Sequence, residues 1–442
     1  MNRIKRFFLS RTTTICLIVS ALSGVLLSTL IPQSFLSVSE TMLEWRTSHP
    51  ILARLSEQLG LHEIYTNPVF LLVLTGVTVS LFLSACNQFV TAWRRTFHPQ
   101  METADSDCFT ALQTAEECWR VLARSGYFRR RKTPAGMSLV RHPWGYWGNA
   151  LLHAGMVVTI GASLFIALTQ QQAVVQLAEG VTQRPYDPLL LEEHGMLGQP
   201  LILPDALRLD QVSYGFRPDY SMRELTSTLS FLSGSDTIDT KTVEINRIVV
   251  HRGLRIYQGV EFGHAFFMEV SGLAKEPQVF QLQLQHPDTP EQPSYNDFPN
   301  LLGDGRLVRA KYLVDPDKKS FDHIHPLLTL RLDDPDKEVG RLPLQAGAAG
   351  TIGPYTFRLI AVAPWSRLIL VRLTGIPMVF FGFFIICLGG TLYYFAPPHE
   401  VSLREAADGA TLVCWRATRF AAFYADEPAS LKKALECKSA DE

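Results

Sequence analysis

The sequence predicts a mixed membrane protein, with four transmembrane α-helices and a large β-rich extracytoplasmic domain between the third and fourth spans. Three observations predict it. Four charge-free apolar runs are each long enough to cross a bilayer, a polar stretch of 204 residues separates the last two, and Lys and Arg concentrate in particular flanks.

Averages conceal this division. The 442 residues are 47% hydrophobic and 19% charged, with a mean hydropathy of +0.09. That is too apolar for a disordered or collagen-like chain and too charged for membrane spans alone. Lys+Arg total 41 and Asp+Glu 42, a net charge of -1 that gives no electrostatic basis for nucleic-acid binding.

The first run, 15–31 (ICLIVSALSGVLLSTLI), lies in an uncharged stretch, 12–39, behind Arg3, Lys5, Arg6 and Arg11. A cleaved signal peptide is its competing reading, but no small-x-small site follows and the run exits through Leu30-Ile31-Pro32-Gln33. The second run is 68–85, the third 147–168 and the fourth 373–395, with Tyr146, Trp147, Tyr393 and Tyr394 where interfacial aromatic belts are expected.

Orientation follows from basic residues. The first 13 residues carry 4 Lys+Arg and segment 86–146 carries 9, whereas connection 32–67 carries 2. Both termini and the second connection are therefore expected in the cytoplasm of a bacterial inner membrane, in contact with lipid. The expected divisions are 1–86 for two spans and a short outer connection, 87–146 for a cytoplasmic segment, and 147–168 for the third span. A periplasmic domain over 169–372, the fourth span over 373–395 and a cytoplasmic tail over 396–442 complete the chain.

Segment 169–372 holds 20 Lys+Arg and 25 Asp+Glu, as a soluble domain would. Alternation in 278–285 (QVFQLQLQ) and 326–332 (PLLTLRL), between Gly, Pro, Asp and Asn turns, predicts antiparallel strands. The cytoplasmic segment is expected to form an amphipathic helix near 108–125, with Phe109, Leu112, Cys118, Val121 and Leu122 on its apolar side, covering the inner ends of the spans. The tail predicts a hairpin around Asp408-Gly409 and a helix from Pro428 onward.

All seven cysteines (Cys16, Cys86, Cys108, Cys118, Cys387, Cys414 and Cys437) lie in spans or predicted cytoplasmic segments, so disulfides do not hold the outer domain together. There is no C-x-x-C pair for dithiol exchange.

His153 is the most informative residue. It falls six residues past Trp147, hence about 9 Å beyond the inner interface. An intramembrane imidazole can ligate a metal or haem iron, carry a proton, or hydrogen-bond across helices. Outside the spans, His323-x-His325 would share one strand face, but no further ligands accompany it; with His49, His62, His194, His251, His264 and His286 it reads as surface histidine. His142 and His399 flank the third and fourth spans as helix caps or headgroup contacts. The Asp333-Asp334-Pro335-Asp336 cluster reads as a solvated turn, since an EF-hand's glycine and terminal glutamate are missing. P-loop, H-E-x-x-H, G-x-S-x-G and dinucleotide fingerprints are absent.

Several segments together resemble the ResB (CcsB) family of system II cytochrome c maturation. They are 26–33 (LLSTLIPQ), 59–72 (LGLHEIYTNPVFLL) with Cys86, and 125–127 leading through Trp144-Gly145 to Leu151-Leu152-His153-Ala154-Gly155. Within the outer segment, 219–232 and 243–263 (VEINRIVVHRGLRIYQGVEFG) continue the likeness. Two features depart from it: Arg372-Leu373-Thr374-Gly375 stands where the family commonly has Asp-Pro-Gly, and no arginine directly follows Cys86-Asn87-Gln88.

The resemblance implies a subunit of a holocytochrome c synthase, non-catalytic alone, that works with a CcsA (ResC) partner. Haem is the cofactor in transit and apocytochrome c the recipient. His153 matches the position of a transmembrane axial haem ligand. The partner's tryptophan-rich segment is missing here, as expected of one half of a synthase. A membrane-anchored scaffold without haem chemistry is the alternative; a transporter fits less well, since the four runs hold one His and no Asp, Glu, Lys or Arg.

Overall fold

The computed structural model describes residues 2–35, 39–98, 107–133, 136–272, 276–316, 321, 326–334, 337–405 and 410–436. The chain forms two compact units.

The first unit comprises Met1–Ile31, Ile64–Ala167 and Thr374–Glu442. It contains four helices long and apolar enough to cross a membrane, Arg11–Leu30, Pro68–Phe97, Gly148–Thr169 with its Pro143–Trp147 lead-in, and Ile376–Phe395. The second runs past the expected residue 85 because no helix breaker intervenes, and Arg94 and Arg95 complement the partial negative charge of its final turn.

The first and second spans pair through polar contacts where helix–helix packing lacks a hydrophobic driving force. Thr14 Oγ1 lies 3.2 Å from Ser80 Oγ, and at the other end of the first span Ser28 Oγ lies 2.8 Å from the hydroxyl of Tyr65, just ahead of the second. The third and fourth spans meet backbone to backbone. A methyl group on Gly155 would stand 2.8 Å from the Gly382 carbonyl oxygen, so only hydrogen fits.

The same unit contains a five-stranded antiparallel sheet in the order Asp107–Ala111, Thr411–Ala417, His399–Glu405, Gly136–Arg141, Phe128–Thr133. Segments before the third span and after the fourth thus build one domain, which we call the terminal sheet. Helices Ala115–Arg124 and Glu427–Glu436 supply Cys118, Leu122, Leu431 and Leu435 to a core with Leu139, Leu403, Val413 and Trp415. Each fully buried Leu contributes about 1.5–3 kcal/mol.

The helix expected near 108–125 is shorter, because Thr114 and Glu117 form a capping box that starts it at Ala115. Cys108 and Phe109 are strand residues, and Leu112, expected on the apolar side, is 89% exposed in the turn. Cys108 and Cys414 oppose each other across neighbouring strands and form a disulfide. The tail helix is found at Glu427–Glu436, the hairpin strands pair as expected, and Asp408-Gly409 and Cys437 lie outside the described residues.

The second unit comprises Pro32–Glu63 and Leu168–Leu373. Two 18-residue strands, Leu254–Ser271 and Tyr355–Arg372, pair along most of their length and serve two lobes in succession. One lobe packs their Leu254, Ile256, Leu368 and Leu370 against Leu209, Leu229 and Phe231 from the sheet spanning 182–244. The other packs Phe266, Met268, Phe357 and Leu359 against Tyr312, Leu328 and Leu330 from the sheet spanning 294–344. The predicted strands appear as Gln278–Gln285 and Leu327–Asp334.

Between the lobes the register breaks from Gln258 to Phe262, where a buried Arg367 donates to Glu261 and Gln258 donates to Ser366 at 2.6 Å. This bulge occupies the YQGVEF portion of the segment that carries the family resemblance.

Candidate functional site

His153 sits in the second turn of the helix Gly148–Thr169. Its Nδ1 lies 2.9 Å from the carbonyl oxygen of Asn149, one turn earlier. A carbonyl can only accept, so Nδ1 donates here, and in the neutral ring this leaves the lone pair on Nε2. Among the described residues, Nε2 has no hydrogen-bond partner.

The contacts of the helix set its direction. Gly148 and Gly155 face the fourth span, while Trp147 packs against Phe89 and Trp93 and Gly161 lies against Thr78 of the second. At about 100° per residue, His153 points roughly 150° away from the first line of contact and roughly 100° from the second. The half-buried ring therefore addresses a third side of the helix. A neutral imidazole held by its own backbone, with Nε2 outward, has the donor chemistry a haem iron requires.

The structure brings together histidines the sequence left apart. His142 and His399 have ring centroids 6.0 Å apart. His399, expected to cap the fourth span or face headgroups, does neither: that helix ends at Phe395 with Ala396 as its cap, and His399 is 1% exposed with its Nδ1 2.6 Å from Glu427. Glu427 also accepts from Tyr127 at 2.8 Å and Arg141 at 3.2 Å. Burial alone would raise the Glu427 pKa, but the close approach of His399 and the hydrogen bond from Tyr127 hold it below the usual range. Burial, reinforced by neighbouring Arg141, lowers that of His142. The pairing depends on the closure of two distant segments into one sheet, for which the sequence offers no local signal.

Four of the histidines read as surface residues are buried, each for a local reason. His62 is held between Pro32 O at 2.8 Å and Ser56 Oγ at 3.1 Å. His251 stacks on Phe231 at 3.8 Å and meets Asp205 at 2.8 Å. His264 Nδ1 lies 2.6 Å from the Tyr312 hydroxyl, and His286 stacks on Phe262 at 4.9 Å. Burial pulls His264 down to about 3 and His286 to about 4. His49 and His194 are exposed; His323 and His325 lie outside the described residues. The aspartate cluster departs from a solvated turn at Asp333, which is 2% exposed and pairs with Arg309 and Arg331; Pro335 and Asp336 are outside the described residues.

Among the described residues no group of three or more His, Cys, Asp or Glu could hold a metal ion. In the second unit a groove of about 640 Å³ is lined by side-chain amides, including Gln176, Gln281, Gln283 and Gln285, with Trp365 and His286. Amides both donate and accept, which suits an extended backbone.

Comparison with known proteins gives this arrangement a context. The cytochrome c biogenesis protein CcsB of Paulinella chromatophora is 25% identical over 417 residues, covering 86% of this chain and 87% of that protein. CcsB of Synechococcus sp. (strain CC9605) is 24% identical over 400 residues, covering 84% and 82%. The model of the ResB-like family matches residues 11–353, which takes in the first three spans, His153 and the two-lobed domain up to its last strand, Tyr355–Arg372. With more than half its length matched in this order, the chain belongs to the ResB-like family.

Proposed function

We propose that this protein handles haem during system II cytochrome c maturation, as one subunit of a membrane synthase whose other half is a CcsA-type protein. The observation that carries the reading is the Nε2 of His153, left free by the Nδ1 hydrogen bond, without a partner among the described residues, and presented on a side of the third span away from both neighbouring helices. Haem supplies an iron that takes an axial nitrogen and vinyl groups that join the two cysteines of an apocytochrome. This chain would contribute an oriented imidazole at membrane depth, from which haem iron could take a nitrogen ligand.

The two-lobed domain lies on the outer side in this reading, since Lys and Arg are concentrated at the other end of the spans. Its amide-lined groove seats an unfolded stretch of apocytochrome by hydrogen bonds to peptide groups that any sequence offers.

The test is complementation of a deletion strain, with haem staining of membrane c-type cytochromes. Loss on deletion, restoration by the wild-type gene and failure of His153→Ala to restore are expected. Normal cytochrome levels in the deletion strain would reject the function; full restoration by His153→Ala would reject the ligand.

A further inference from the structure

The end of the span bundle that joins the terminal sheet carries more positive charge than its carboxylates neutralise. Arg419 is half-buried, with its guanidinium 3.9 Å from the Tyr393 ring centroid and Nη1 3.5 Å from the carbonyl oxygen of Gly145. Arg130 lies 5.1 Å over the Tyr146 ring and donates from Nη1 to its hydroxyl at 3.1 Å, while its enclosed Nη2 finds no acceptor among the described residues. Glu400 is engaged elsewhere, accepting from Tyr146 and, at 2.8 Å, from Arg416. Among the described residues, Arg95, Arg130 and Arg419 make no ion pair with a carboxylate.

Half-buried cations that meet only neutral groups, beside an unsatisfied donor, call for an anion. Burial, together with the like charge of Arg95, holds the Arg419 pKa below its ordinary value. The surroundings identify which kind of anion. Phe420 stacks on Tyr394 at 5.7 Å, Phe423 is 84% exposed, and Trp93, 47% exposed, packs edge-on to Trp147 at 6.3 Å. Exposed aromatic rings at the ends of apolar helices belong at the boundary between headgroups and acyl chains. An anion reached from that boundary is a lipid phosphate, which matches the forked geometry of guanidinium groups.

We propose that Arg130 and Arg419, with Arg95 beside them, bind the phosphate of an anionic phospholipid, whose acyl chains run along Trp93 and Phe423. The site is independent of haem.

Native mass spectrometry of the full-length protein in neutral detergent tests this, with phosphatidylglycerol and phosphatidylcholine titrated in parallel and inorganic phosphate as competitor. Preferential retention of phosphatidylglycerol is expected. Arg130→Gln and Arg419→Gln should each weaken it about fivefold, leaving phosphatidylcholine unaffected. Equal retention of the two lipids by the wild-type protein would overturn the proposal without recourse to any variant. Unchanged phosphatidylglycerol retention in the folded double variant would overturn it too, and displacement by millimolar inorganic phosphate would assign the site to a soluble anion instead.

Discussion

His153 and Asn149 are joined by a bond from the imidazole Nδ1 to the backbone carbonyl oxygen, at 2.9 Å, which selects the tautomer with a free Nε2. The acceptor belongs to the backbone, so the side chain of Asn149 is dispensable for it. With the partner subunit copurified, His153→Ala should lose the Soret band and added imidazole should restore it. Asn149→Ala should keep the wild-type spectrum, and a parallel loss in that variant would show that the tautomer is set differently.

The contact between Gly155 and Gly382 leaves no room for a side chain. Gly382→Leu should force the third and fourth spans apart at a cost of about 1–3 kcal/mol or more. Gly161→Ala provides the control, since its nearest neighbour, Thr78 Cγ2, lies at an ordinary 3.9 Å. Thermal unfolding in detergent should show a lowered midpoint for the first and little change for the second.

His264 and His286 make the two-lobed domain sensitive to acid. Their folded pKa values are near 3 and 4 because burial disfavours the charged rings, whereas the unfolded rings titrate near 6.5. Stability is therefore complete above pH 6.5 and falls as the pH drops toward these folded values, by about 2 kcal/mol per histidine between pH 7 and pH 5. Denaturant midpoints at the two pH values would measure it. His286→Phe, stacked in the same position against Phe262, should remove roughly half of that dependence.

The terminal sheet depends on the chain's end, because His399–Glu405 lies between Gly136–Arg141 and Thr411–Ala417. Truncation after residue 397 would uncover Leu122 and Leu139, both fully buried. Limited trypsin digestion should then cut at Arg129, Arg130 and Arg131, sites that resist cleavage in the full-length chain.

Cys108 and Cys414 report which compartment holds this sheet. They are paired in the structure, whereas the orientation expected from Lys and Arg would put them in the cytoplasm, where thiols are kept reduced. In a variant retaining only these two cysteines, an impermeant maleimide should label neither in intact cells and both after lysis in denaturant, since Cys414 is buried in the folded sheet. A requirement for added reductant after lysis would point to an oxidised pair and the opposite orientation.

Hydropathy made the spans legible because each is a local property of about 20 consecutive residues. His153 could be found for the same reason, as a lone ionisable group in an apolar run. The terminal sheet was illegible, since strands such as Gly136–Arg141 and His399–Glu405 are adjacent only after folding, and neither announces its partner. Burial of His62, His251, His264 and His286 also escaped the sequence. A histidine's exposure is decided by acceptors such as Asp205 and stacking rings such as Phe231, and these come from distant parts of the chain.

The strand register that places Cys108 opposite Cys414 joins residues separated by 306 positions. At synthesis rates of about 5–20 residues per second, the first waits roughly 15–60 seconds for the second to be made. During that interval the segment 107–141 has neither its central strand nor the helix that covers it. The two-lobed unit, made of Pro32–Glu63 and Leu168–Leu373, is synthesised before Cys414 and can complete its own folding first. Assembly of the terminal sheet is thus a late checkpoint, passed only by chains whose fourth span and tail have both been delivered.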